Sequence, residues 1–129
     1  MGAIDIGWSK QVLSGKDAVI IRNYVDGIKG GKVLDMTGFT EDVLNCGHVI
    51  IKKNETYKPL PVSNDAYVSL PEGWSYAGIN MTTVAWKLDG SIVGIMTSGE
   101  VNDKAAPYNL SAIAAAIKSA IPTLRFDHD

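Results

Sequence analysis

The stretch Gly47 to Leu60, GHVIIKKNETYKPL, decides the fold of this chain. Gly47 to Lys53 reads as a β-strand and Thr56 to Leu60 as its return, with the polar pair Asn54-Glu55 as the turn between them. Pro59 has no N–H to give to a ladder, so the return strand belongs at a sheet edge or ends there. With Pro61 so close behind, a helix is excluded from the same stretch.

Working outward toward the N-terminus, Ala18 to Val25 (AVIIRNYV) is dense in β-branched and aromatic residues. It predicts a first firm strand that ends at an Asp26-Gly27 turn. Gly30-Gly31 leads into Lys32 to Asp35, and Thr37 to Thr40 breaks the chain before Val43-Leu44. Residues 1–17 read as an N-terminal arm, in which Ile4, Ile6 and Trp8 recur at the period of a strand while Gly2, Gly7 and Gly15 interrupt it.

Toward the C-terminus, Asp65 to Leu70 alternates around Ala66, Val68 and Leu70, and Pro71-Glu72-Gly73 forms a turn. Trp74 to Ile79 opens a further segment. Val84 to Leu88, Asp89-Gly90 and Ser91 to Met96 predict the cleanest hairpin, because Asp-Gly suits the positive φ of a two-residue turn. Gly99 to Val101 adds a short piece. The period then changes. Leu110, Ile113, Ala114, Ile117 and Ile121 recur at helical steps, predicting one helix at about 109–121 with Asn109 or Ser111 as its cap and Pro122 as its stop. Leu124 to Phe126 is a short apolar end piece.

The expected architecture is therefore mainly β within the α+β class. It is a small β-barrel or β-clip-like domain of short antiparallel strands over residues 18–129, with one C-terminal α-helix and an extended N-terminal arm. A chain of 129 residues suffices for one such domain and its core. Its net charge of −2, with lysines scattered along the chain, offers no footprint for a nucleic-acid backbone. The first ten residues carry Asp5 and lack the apolar run of a secretory leader, and no stretch is long and apolar enough to span a bilayer. The expectation is a soluble protein made in a cytoplasm. Its lone Cys46 agrees with a reducing compartment.

Residues that could carry chemistry are few. Cys46 and His48 share one side of a strand in C-x-H spacing, but a zinc site needs four ligands, and nucleophilic catalysis needs an orienting third group. A small buried thiol and an ordinary strand histidine account for both, and a hydrolase built on them ranks last. Gly27 to Gly31 (GIKGG) matches no phosphate-binding loop and is followed by a strand, so it reads as a turn. Asp35, Glu41, Asp42, Glu100 and Asp103 have no spacing that specifies acid–base work. No catalytic residue, cofactor or metal is expected. The aromatics are more informative: Trp74 and Tyr76 are candidate interface residues, Trp86 fits the core, and Trp8 suits a partner surface as well as the chain's own core.

In order and texture, the segments CGHVIIKKNETYKPL (Cys46 to Leu60), YAGIN (Tyr76 to Asn80), IVGIMTSGE (Ile92 to Glu100) and Asp103 to Phe126 resemble the lambda-type head decoration proteins of tailed phages, together with the head-fibre proteins of phages of gut bacteria. The resemblance covers roughly residues 30 to 126 and rests on no invariant motif. The arm is far more apolar and less rich in Thr and Pro than that of the lambda protein.

What the resemblance implies is a non-catalytic auxiliary capsid protein. It would bind the major capsid protein as a homotrimer at three-fold positions of the shell, on the virion surface, after synthesis in the bacterial cytoplasm. The arm, through Ile4, Ile6 and Trp8, would add a strand to a coat-protein edge, where alternate side chains set the register. Neither nucleic acid nor membrane is expected as a partner. The alternative is another non-catalytic phage or carbohydrate-binding β module, of tail or baseplate, with Trp74, Tyr76 and Trp86 stacking on sugars.

Overall fold

The computed structural model describes residues 20–37, 39, 41–63, 66–90, 92–102, 104, 106–108, 110 and 112–127. The proposed arm, with Ile4, Ile6 and Trp8, lies outside the described residues, as do the proposed helix caps Asn109 and Ser111. The chain is mainly β, built on an antiparallel sheet curled into a half-barrel.

In chain order the strands are β1 (Ile21–Val33), β2 (Val49–Lys53), β3 (Thr56–Pro59), β4 (Val62–Ser63), β5 (Ala66–Tyr67), β6 (Ser75–Asn80), β7 (Ile92–Asn102) and β8 (Leu124–Asp127). Helix α1 (Trp86–Asp89) precedes β7 and α2 (Ala114–Ala120) precedes β8. The main sheet runs β1-β7-β6-β2-β3, while β4 and β5 form a separate ribbon. β7 organises it: one edge carries β1 along nearly its whole length, and the other is shared between β6, at Met96 and Ile95, and β8, at Gly99 to Asn102. The β7–β8 pairing is parallel, against the expectation of antiparallel strands throughout. Past the end of β1, Leu34 bridges Tyr57 of β3 and the Asp35 N–H donates to the Tyr57 carbonyl at 2.8 Å. The two margins of the sheet thus meet at one end, which curls it.

The β2–β3 hairpin forms as expected, with Lys53 opposite Thr56 and Asn54 at φ 55, a conformation Asn tolerates better than most residues. β3 stands at the end of the sheet path, where its Pro59 belongs. Val49, Ile50 and Ile51 are fully buried because both faces of the sheet are covered. Val49 and Ile51 join Tyr76, Ile79, Met96, Val101, Ile117 and Leu124 on one face, while Ile50 joins Leu34, Met36, Leu44, Ala77, Val93 and Ile95 on the other. Burying each of these aliphatic side chains stabilises the fold by about 1.5–3 kcal/mol.

Five further sequence expectations are corrected. The strand beginning at Ala18 does not stop at Asp26-Gly27: β1 continues through it and through Gly30-Gly31 to Val33, with bulges at Tyr24/Asp26 and Asp26/Gly27. Glycine stands at 27 because β7 comes close, and a Cβ there would run into the Ile95 carbonyl oxygen. Nor do Val84 to Met96 form a hairpin. Both edges of β7 are taken by other strands, and Val84 to Asp89 turns aside through the Leu44–Val84 bridge into α1. The two pieces expected up to Met96 and at Gly99 to Val101 belong to one strand, since β7 runs unbroken from Ile92 to Asn102.

Asp65 to Leu70 contributes only Ala66–Tyr67 as strand, because its sole partner is the two-residue β4. The helix expected at 109–121 is shorter, Ala114–Ala120, with Ile113 at its N-cap and Ile117 buried beneath it. Its exposed alanines raise helix propensity without adding a second apolar face.

A bulge in β6 sets the two cores. Between Ile50 and Ile51 the β2–β6 register slips, so Gly78 faces Ile50 and Tyr76 faces Ile51. The extra residue brings Tyr76 and Ile79 onto one face and leaves Ala77 on the other. A Cβ on Gly78 would lie 2.5 Å from the Met96 carbonyl oxygen and 2.6 Å from Ile95 Cγ2, so the close approach of β6 to β7 requires glycine.

Candidate functional site

The chemistry-bearing residues Cys46 and His48 lie in the turn that enters β2, where, among the described residues, the two buried polar side chains, His48 and Asn80, come together. Asn80, at the end of β6, is fully buried. Its Nδ2 donates to the carbonyls of Asn45 and Thr82, each at 2.9 Å. Its backbone closes the same junction, with Gly47 N–H donating to Asn80 O at 2.8 Å and Asn80 N–H to His48 O at 2.9 Å. This fastens the turn to the sheet.

Cys46 is buried, and its thiol donates to Met81 O at 3.2 Å while its N–H donates to Thr83 Oγ1 at 3.0 Å. His48 is 1% exposed. Its Nε2 lies 2.9 Å from Leu60 O, and because a carbonyl only accepts, the proton sits on Nε2. The ring is enclosed edge-to-face by Phe39 at 5.7 Å, Tyr67 at 5.2 Å and Tyr108 at 5.7 Å between centroids. Burial holds the imidazole down at about 4, with the Leu60 hydrogen bond the weaker, opposing influence. The Tyr67 hydroxyl accepts from Val49 N–H at 3.2 Å, and burial raises its pKa.

This arrangement positions loops. The Cys46 thiol and the His48 Nε2–H are each directed at a backbone carbonyl, so neither is presented to a substrate. Among the described residues no three His, Cys, Asp or Glu side chains gather to hold a metal ion. Asp35 and Asp42 are fully exposed. The Thr37 hydroxyl and N–H depress the first and the Lys87 ammonium the second, so both stay charged.

The candidate interface aromatics separate. Tyr76 is 8% exposed and packs into the core, which removes it from the surface. Trp74 is half-buried against the same core, with Lys58 Nζ 4.4 Å from its ring centre. Trp86 is half-buried, donates from Nε1 to Glu41 O at 2.8 Å and meets Phe39 edge-to-face.

Surface features that the sequence reading passed over lie on β1 and β7. Tyr24, Val25 and Val33 of β1 are 48%, 61% and 65% exposed, and Ile92, the cross-strand partner of Val33, is 65% exposed. Leu88 of α1 is 87% exposed. For Tyr24, Val25 and Val33 the signal was available, because a strand read as continuous through residue 33 would have placed all three along one element.

No helix among the described residues is long and apolar enough to cross a membrane. Compared with protein-family models, with curated proteins and with solved structures, the chain matches none.

Proposed function

We propose that this chain is a non-catalytic auxiliary protein of a tailed-phage head, which binds the shell of major capsid protein as a homotrimer and stabilises it from the virion surface. The observation that supports the reading is a set of exposed apolar side chains at the two ends of the β1–β7 pair, Tyr24 and Val25 at one and Val33 with its partner Ile92 at the other. Exposed apolar groups along one sheet margin favour protein–protein contact. The order of segments, which resembles that of head decoration proteins, is what suggests the partner class. Repeated weak contacts on a lattice add up through avidity, so no single strong site is needed.

The sugar-binding alternative draws less support. Tyr76 is inside the core, the Trp74 ring is covered by Lys58, and the Trp86 indole is tied to Glu41, so the stacking faces it requires are not freely offered.

The test is co-sedimentation with phage heads lacking their auxiliary protein. The full chain is expected to pellet with heads in saturable amounts, and deletion of residues 1–17 is expected to abolish this while the domain stays folded. Retained binding after the deletion would remove the arm from the reading. No binding by the full chain to any tailed-phage head would remove the function.

A further inference from the structure

We propose that His48 is an acid-operated latch, a neutral imidazole that pins the Phe39 loop, the β4–β5 ribbon and the Tyr108 loop to the start of β2 and releases them together when it takes up a proton. The geometry is that of a joint. Phe39 reaches the ring from the β1–β2 connection, Tyr67 from β5, Tyr108 from the segment between β7 and α2, and the Leu60 carbonyl from the end of β3. Tyr67 and Tyr108 also meet each other at 5.4 Å, so these two walls share one contact. Four separate pieces of chain therefore converge on one side chain that is 1% exposed.

Protonation adds a hydrogen at Nδ1, since Nε2 already donates to Leu60 O. The titratable groups facing the ring are the phenols of Tyr67 and Tyr108, with Cys46 two residues away donating its proton to Met81 O. Burial keeps Tyr67 protonated, and Phe39 and Leu60 bring no ionisable group. Among the described residues no carboxylate lies against the ring to receive the new N–H or balance the charge. An imidazolium in this cage is a buried cation with no counterion among the described residues, and the way to hydrate it is to open the cage.

The sign follows from linkage. The released ring binds a proton at the ordinary value of 6.5 and the caged ring only at about 4. Closure is therefore strongest above pH 6.5, weakens about tenfold per pH unit on acidification, and is roughly 300-fold less favoured once pH 4 is passed. The strands stay together through the β1–β7, β6–β7 and β2–β6 ladders, which do not depend on the ring, and Phe39 keeps its packing against the core of Leu34, Met36, Leu44, Ile50, Ala77, Val93 and Ile95 when its edge contact with His48 is lost.

The experiment follows the full chain by NMR of the imidazole resonances, with His128→Gln to assign them, and by near- and far-ultraviolet circular dichroism from pH 7 to 3. The expected result is a His48 ring in the Nε2–H form at neutral pH whose titration midpoint falls between the caged value of about 4 and the free value of 6.5, because proton uptake is coupled to opening. Tyrosine near-ultraviolet signal should be lost at the same midpoint while the strand signal persists, and in His48→Gln, which can still donate to Leu60 O, that loss should move down by at least about one pH unit. A His48 ring titrating near 6.5, or an aromatic transition at an unchanged midpoint in His48→Gln, overturns the proposal. Should His48→Gln fail to fold, the wild-type ring titration and its coincidence with the aromatic transition decide alone.

Discussion

Replacing Asn80 by alanine tests whether the turn entering β2 is held by the buried amide. The substitution removes two hydrogen bonds of 2.9 Å, to Asn45 O and to Thr82 O, from a fully buried site. Asn45 O keeps a second donor, the His48 N–H at 3.2 Å, so it loses only part of its satisfaction. A net hydrogen bond contributes about 1 kcal/mol and a newly orphaned buried carbonyl costs about 1–3 kcal/mol, which together put the loss at about 2–4 kcal/mol. That is a large share of the roughly 5–15 kcal/mol that stabilises an ordinary domain. Equilibrium urea unfolding reads it directly, as a lower midpoint at unchanged slope.

Asn80→Asp sharpens the test, because a carboxylate facing two carbonyls has nothing to donate, whereas its protonated form can satisfy one of them. This variant should be the less stable of the two at pH 7, and its deficit relative to wild type should shrink toward pH 4. A loss below about 1 kcal/mol for Asn80→Ala, or an Asn80→Asp deficit that ignores pH, would refute the argument that this side chain fastens the turn.

Two further changes probe the sheet and its surface. Gly78→Ala forces a methyl group against the Met96 carbonyl and Ile95 Cγ2 and should lower stability by about 1–3 kcal/mol in the same urea assay, whereas Gly90→Ala, which meets no atom within 4 Å, should cost only the strain of its φ of 89°. Val33→Ser with Ile92→Ser, on the exposed cross-strand pair, should leave the unfolding midpoint within about 0.5 kcal/mol of wild type while reducing self-association measured by sedimentation velocity.

What could be read from the sequence was local. The β2–β3 hairpin is specified by residues a few positions apart: a strand-forming run, an Asn that accepts positive φ, and a proline that fits only an edge. The helix was visible in its period, but the expected start at about 109 lies too early, because Leu110 and Ile113 fit the same period while the helix begins only at Ala114, with Ile113 at its cap. Asp26-Gly27 and Asp89-Gly90 carry the same dipeptide yet form a bulged strand interior and the end of a helical turn. The first is held in the sheet by Met96 and Ser98 of β7, about seventy residues on, and the second makes no hairpin because β1 and β6 already take the edges of β7.

The site was legible only as a pair of residues. Cys46 and His48 were singled out, and the structure accounts for both through carbonyls of Met81 and Leu60. The surrounding cage of Phe39, Tyr67 and Tyr108 comes from three loops whose convergence no spacing encodes. Tyr76 was misplaced on the surface for the same reason, because the bulge at Gly78 that turns its ring inward depends on how β6 meets β2.

Sedimentation equilibrium of the purified full chain, across a range of concentrations at neutral pH, bears most directly on whether its apolar margin serves assembly. A stable species of three times the 13.8 kDa chain mass is the predicted result. A chain that stays monomeric up to millimolar concentration, with Tyr24, Val25, Val33 and Ile92 still open to solvent, would contradict it.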